Sequence, residues 1–220
     1  MKILALSLLL LGSVPPSNTP VPAYLYGCTP EIAAARGGDV DLYRLKDRIQ
    51  QAASPQPASV DGIAAYAAPS VLTGLPRARW KQPDLDLAAA HEHQGVMVEG
   101  FLLAAVPRGW SLWNCNNSRW IDVRLWIGAS ADAGQRQAIV AVVTPPWQDA
   151  NAYWDRATLR ALAARQPRVR VTGWMLYADD DAVELTRGRR TLWEIHPVTR
   201  IEIARPDGSW QELVDLPPPG

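Results

Sequence analysis

Glu194 and His196 lie two residues apart in a run of strand-forming residues. In an extended chain both side chains project to one face, while Trp193 and Ile195 project to the other. A carboxylate beside an imidazole suits general acid–base work, or supplies half of a metal site that the similarly spaced His91 and His93 could complete. The commoner role for such a pair is structural, with the carboxylate orienting the histidine in a hydrogen-bonded network. Trp120, Asp122, Arg124 and Trp126 form a second group, alternating with Ile121, Val123, Leu125 and Ile127. Two indoles flanking an acid and a base can stack on bases or sugars while the charges fix orientation. The competing arrangement is a sheet covered on both sides, with Asp122 and Arg124 paired or solvated. Asp179, Asp180, Asp181 and Glu184 carry oxygens that attract calcium, but their spacing matches no calcium loop, and the run reads as a solvated hairpin tip. Arg187, Arg189 and Arg190 follow closely enough for the acids to cancel most of their field. No Gly-x-Ser-x-Gly elbow, phosphate-cradling glycine loop or paired-cysteine zinc motif occurs. No residue is therefore assigned as catalytic, and no cofactor is indicated.

The elements that must position these groups follow one order from Gly95 to Ala204: three strands, a helix, then two strands. Val96 to Val106 is the first strand, with Gly100 as a bend; after a turn at Pro107-Arg108-Gly109, Trp110 to Cys115 continues the first sheet, and the turn formers Asn114-Cys115-Asn116-Asn117 close it. Trp120 to Ile127 alternates cleanly as the second strand, and Ala138 to Val143 is a buried third that stops at Thr144-Pro145-Pro146. A helix is expected from about Asn151 to Arg165, capped by Asp149 or Asn151 and stopped by Pro167. Trp154, Ala157 and Ala161, or Leu159, Leu162 and Ala163, would plug the open end below it. Arg168 to Tyr177 is the fourth strand with Gly173 as its bend, Asp179 to Arg190 a long polar hairpin, and Thr191 to Ala204 the last strand. This is the order of a five-stranded OB-like barrel, so the fold class is mainly β with an N-terminal, partly helical extension. Such barrels bind many ligands and catalyse little unless a site is added. The strand 2–3 sheet is the ligand face of the fold, which favours the Trp120–Trp126 stripe.

Met1-Lys2 followed by the apolar run Ile3 to Leu11 has the layout of a signal peptide, too short to span a bilayer. Residues 1–23 are read as that segment, with Val21-Pro22-Ala23 as one cleavage candidate, and no second apolar stretch suggests a span. Residues 24–90 form the extension and 91–215 the barrel domain. Asp39 to Ala53 carries Leu42, Leu45 and Ile49 at helical spacing, ahead of a proline-rich break from Ser54 to Ala58. Ala64 to Leu75 is small and apolar. Thr29 to Leu42 resembles the start of an ankyrin repeat, but no copy recurs and one copy cannot bury its own face. Twenty-two basic residues balance twenty-two acidic ones, so whole-chain attraction to polyanions is absent. In an exported chain Cys28 and Cys115 are expected to form a disulfide, worth about 4–5 kcal/mol at the upper end for so long a loop.

The strings Val169 to Tyr177 and Arg189 to Glu202, above all Leu192-Trp193-Glu194-Ile195-His196-Pro197, resemble a group of uncharacterised exported bacterial proteins with an OB-like barrel. Asn114-Cys115-Asn116 and Val143-Thr144-Pro145 are similar too, so the likeness covers residues 91–204. It implies the fold and carries no activity. Where that group often has a second histidine, two residues after an aspartate, this chain has Arg124, which weakens a two-histidine metal site. The expected function is an exported, periplasmic or secreted binding or interaction module for an envelope peptide, glycan or protein. A small metal-dependent hydrolase centred on Glu194 and His196 is the alternative, and single-stranded nucleic-acid binding is disfavoured by zero net charge and export.

Overall fold

The computed structural model describes residues 27–70 and 75–215. The expected signal segment and part of the 64–75 stretch lie outside the described residues. The described residues form seven strands: β1 (Gln56–Ala58), β2 (Gly95–Pro107), β3 (Val123–Gly128), β4 (Ile139–Val143), β5 (Arg168–Tyr177), β6 (Trp193–Ala204) and β7 (Trp210–Glu212). Strands β2, β3, β4, β6 and β5 pair in that order, and β5 returns to β2, so the five close into a barrel. All of these pairings are antiparallel except β4 with β6. With the helix between β4 and β5 this is the OB topology expected from the element order. β1 adds to β2 in parallel, and β7 makes a hairpin with β6.

Closure depends on β2 serving two neighbours. Its first half, Gly95 to Phe101, pairs with β5, and its second half, Phe101 to Pro107, pairs with β3. The strand must bend at the changeover, where Gly100 sits so close to β3 that a Cβ there would lie 2.6 Å from the Gly128 carbonyl oxygen. Gly173 does the same for β5, where the register with β6 shifts and an added Cβ would lie 2.3 Å from the Pro197 carbonyl oxygen. Both glycines leave room for backbone to approach backbone.

Alternate residues of all five strands fill the barrel, among them Val98 and Leu102, Leu125 and Ile127, Ile139 and Ala141, Val171 and Met175, and Trp193 and Ile195. One end is plugged by helix α6 (Arg156–Ala163), which buries Leu159 and Ala163 with Leu162 partly covered, while Ala157 and Ala161 stay exposed. α6 is shorter than the sequence suggested because Asp155, rather than Asp149 or Asn151, is its cap, accepting from the Ala157 and Thr158 amides at 2.8 and 3.0 Å. The expected stop at Pro145-Pro146 instead opens a short helix, α5 (Pro145–Ala150), whose first-turn prolines lack only amides that would be unpaired anyway.

The extension contributes α1 (Pro30–Ala34), α2 (Val40–Lys46), α3 (Val60–Ala64) and α4 (Gln82–Glu92). Asp39 Oδ1 accepts from the Asp41 and Leu42 amides, so α2 starts as expected. It ends at Lys46 rather than Ala53 because the following chain runs out along the barrel. There the Arg48 and Gln50 carbonyls accept from the indole N–H groups of Trp147 and Trp174. A disulfide joins Cys28 to Cys115, tying the extension to the loop between β2 and β3. Among the described residues, no helix is long and apolar enough to cross a membrane.

Gly173→Ala should destabilise the protein by about 2 kcal/mol or more, since backbone rather than a flexible side chain must move. Urea unfolding should show a lower midpoint with an unchanged slope. A variant as stable as the parent would show that β5 is not held against Pro197.

Candidate functional site

The outer side of the β3–β4–β6 wall carries the side chains that the sequence singled out. Trp126 pairs with Val140, and Val140 with Glu194, so the three stand side by side on the outward face. This face is not open. Val140 and Val142 are each 1% exposed, and Glu194 and His196 are both at 0%. Three stretches of chain cover it: α2, the β2–β3 loop (residues 108–122) and the β5–β6 segment (residues 178–192).

A chain of ion pairs holds the cover down. Asp181, expected at a solvated hairpin tip, is instead 3% exposed and lies in a short 3-10 turn followed by α7 (Val183–Thr186). Its Oδ2 accepts from Arg108 Nη1 at 2.9 Å, Arg124 Nη2 at 2.5 Å and Arg189 Nη1 at 3.1 Å, and its Oδ1 accepts from Arg108 Nη2. Arg189 Nη2 also donates to Glu194 Oε2 at 2.7 Å, and His196 Nδ1 lies 2.8 Å from Glu194 Oε1. Burial alone would raise the Glu194 carboxyl, but the charge of Arg189 and the hydrogen bond from His196 outweigh it and hold the group well below its ordinary value. His196 Nδ1 is therefore the donor to an ionised Glu194, and Nε2 is buried without a partner.

Lys46, wholly buried, donates to both oxygens of Asp180 at 2.7 and 2.8 Å, with its ammonium 3.6 Å from the centre of the Trp113 ring. The Arg108 guanidinium lies 4.2 Å from the same ring. Trp113 Nε1 and Asn114 Nδ2 in turn donate to Asp122 at 2.8 and 3.0 Å. A second cluster adjoins the first. Arg77 donates twice to Glu92, at 2.7 and 2.6 Å, and lies 3.7 Å from Asp179.

The expected Trp120–Trp126 stripe is therefore divided. β3 begins at Val123, and Trp120 stands in a turn before it, packed against the cluster formed by Cys28, Leu42, Tyr43, Trp113 and Leu176. Asp122 is 1% exposed beneath Trp113, Arg124 is bound to Asp181, and Trp126 remains partly exposed. Trp110 to Cys115 does not continue the first sheet. It folds into tight turns with Cys115 and Asn116 in the left-handed region, which brings Ser111, Trp113 and Asn114 over the barrel. Glu194 and His196 share a face as expected, but both Glu194 oxygens are taken, leaving none for a metal. His91 does not join them. It stacks on Tyr66 at 4.1 Å and meets the edge of Trp193, whose ring lies on the other side of β6. His93 is exposed at the end of α4. Among the described residues, no group of three or more His, Cys, Asp or Glu side chains is gathered as a metal site. Of the basic flank, Arg187 pairs with Glu184, Arg190 with Asp61 and Arg189 with Asp181 and Glu194.

A cavity of about 380 Å³ lies between the extension, the β2–β3 loop and the start of the β5–β6 segment. Leu42, Tyr43 and Pro76 line one side, Trp110, Ser111 and Trp113 another, and Asp179 and Asp180 a third. Trp110 is 70% exposed. Burial and the charges of Asp180 and Asp39 push the Tyr43 phenol up to about 12, so it lines the cavity as a neutral hydroxyl. Asp179 is 6% exposed, and burial raises it to about 7, helped by Asp180 and opposed by Arg77 and Lys46. The sequence does not single out Trp110 or Ser111, and Asp179, expected at a solvated hairpin tip, is buried instead. The signal for the loop was its Asn114-Cys115-Asn116-Asn117 string, which marks a turn but not where the turn lies.

Two measurements check these electrostatics. Asp179 titrates at about 7 in the folded protein against an ordinary 3.8, so between those values the folded state holds a proton that the unfolded chain has lost. Its contribution makes stability fall as pH rises through that window, by about 4 kcal/mol as an upper bound. Asp179→Asn should flatten that slope in a urea unfolding series run between about pH 4 and 7, and an unchanged slope would place the titration elsewhere. Arg189→Met leaves Glu194 and Asp181 undercompensated and should cost about 3–5 kcal/mol; a loss below about 1 kcal/mol would mean the pairs are solvated.

Comparison with protein-family models, with curated proteins and with solved structures gave no match.

Proposed function

We propose that this chain is an exported binding module whose ligand enters the cavity between the β2–β3 loop, the β5–β6 segment and the extension. The observation that carries the reading is the position of that cavity. It opens among the loops corresponding to those through which OB barrels hold their ligands, and Trp110 stands exposed at it. The sheet face that such barrels also use is filled here by the chain's own groups, since Asp122, Arg124, Glu194 and His196 are all engaged internally. Export is supported by the charged and apolar start of the sequence together with the disulfide. The ligand is a small segment of an envelope peptide, glycan or protein, in keeping with a cavity of about 380 Å³ and an exported chain. Nucleic acid fits poorly, as Arg187, Arg189 and Arg190 are all paired with acids. A hydrolase centred on Glu194 and His196 would need a path to a pair with no exposed surface.

Arrays of envelope peptides and glycans, followed by tryptophan fluorescence titration, test this reading. Trp110→Ala should weaken binding about tenfold or more, while a folded Trp120→Ala/Trp126→Ala double variant should bind as the parent does. The reverse result would move the ligand to the β3 face and sink the cavity assignment.

A further inference from the structure

Taking the cavity as the ligand site, as above, we propose that it receives a primary ammonium group carried on a short aliphatic arm. The argument begins with which polar atoms around the cavity are committed. Asp39 caps α2 with one oxygen and accepts from the Arg77 amide with the other. Asp180 is held by Lys46 and Arg108 by Asp181. Two groups remain. Ser111 Oγ and Asp179 Oδ1 are buried with no hydrogen-bond partner, and both residues line the cavity. The cation nearest Asp179, Arg77, lies 3.7 Å away and directs its terminal nitrogens to Glu92 and the Tyr177 carbonyl.

An unpaired carboxylate and an unpaired hydroxyl both accept hydrogen bonds, and a buried acceptor without a donor is costly. A ligand bearing only acceptors would meet the ionised form of Asp179 with repulsion, whereas a cation draws the group, raised to about 7 by burial, into that form. An ammonium brings three donors on one compact centre and a charge that compensates the carboxylate. The fold already builds such a site for its own use, with the Lys46 ammonium between the Asp180 carboxylate and the Trp113 ring. The cavity offers the same two kinds of group, the Asp179 carboxylate and the exposed Trp110 indole, with no lysine of the chain among its lining residues. Leu42, Leu75, Pro76 and Leu112 supply apolar wall for the methylenes behind the charge.

Isothermal titration of the disulfide-intact protein with cadaverine and with 1,5-pentanediol tests this, the two differing in charge but hardly in shape. Cadaverine should bind at least about tenfold more tightly, and Asp179→Asn, shown to be folded by circular dichroism, should erase that preference. Ser111→Ala should weaken the amine by a smaller factor. Lysine amide and glucosamine then separate a peptide source from a glycan source. Equal affinity for amine and diol, no amine binding, or an amine preference that survives in folded Asp179→Asn would each overturn the proposal. A ligand found on the arrays that needs Trp110 but is not displaced by cadaverine would sink the ammonium class and leave the cavity assignment standing.

Discussion

Three guanidiniums converge on one buried carboxylate, Asp181, and the organisation of the outer barrel face depends on it. Arg108 comes from the loop after β2, Arg124 from β3 and Arg189 from the segment before β6. None of these cations could stay in so dry a place without a counter-charge, since an isolated buried ion costs several kcal/mol. Asp181 therefore dictates that the two loops of the barrel lie together. Arg189 extends the pattern to Glu194 and thence to His196, and Lys46 extends it through Asp180 to α2. The extension is bound to the barrel by charge at Lys46 and by a covalent bond at Cys28, with apolar packing of Leu42 and Tyr43 between them.

Much of the barrel was legible in the sequence because strand periodicity is a local signal. β5 was readable residue for residue from Arg168 to Tyr177, and Ile139 to Val143 announced a wholly buried strand by its lack of any polar residue. Gly100 and Gly173 marked bends that closure required. The Cys28–Cys115 bond followed from two cysteines in a chain that looked exported. The helix ends were less legible. At Asp155, Asn151 and Asp149 three side chains of similar capping power lay within one stretch, and only the packing of Leu159 into the barrel end chose among them.

The state of the charged residues was the least legible part. Asp179-Asp180-Asp181 looks the same in sequence whether it is hydrated at a hairpin tip or buried, because the partners that decide it lie far away along the chain. Lys46 is separated from Asp180 by 134 residues and Arg108 from Asp181 by 73. The same limit applied to Asp122. Alternation places it on a face with Trp120 and Trp126, but the two residues that meet it, Trp113 and Asn114, belong to a loop whose turns begin earlier than the Asn114–Asn117 string predicts. Glu194 and His196 were correctly paired from spacing, and their enclosure came from elements that strand periodicity does not report.

The division of β2 between two neighbours bears on how the chain assembles. Its second half meets β3 across a single loop and can zip up as soon as that loop is made. Its first half faces β5, which follows β3, β4 and two helices in the chain, so that edge stays unsatisfied until most of the polypeptide exists. During that interval the parallel β1 shields only the opposite side of the same half-strand. Ring closure is thus a late, non-local event that follows a local meander, and the half-built sheet carries one naked border for as long as Arg168 to Trp174 has not arrived.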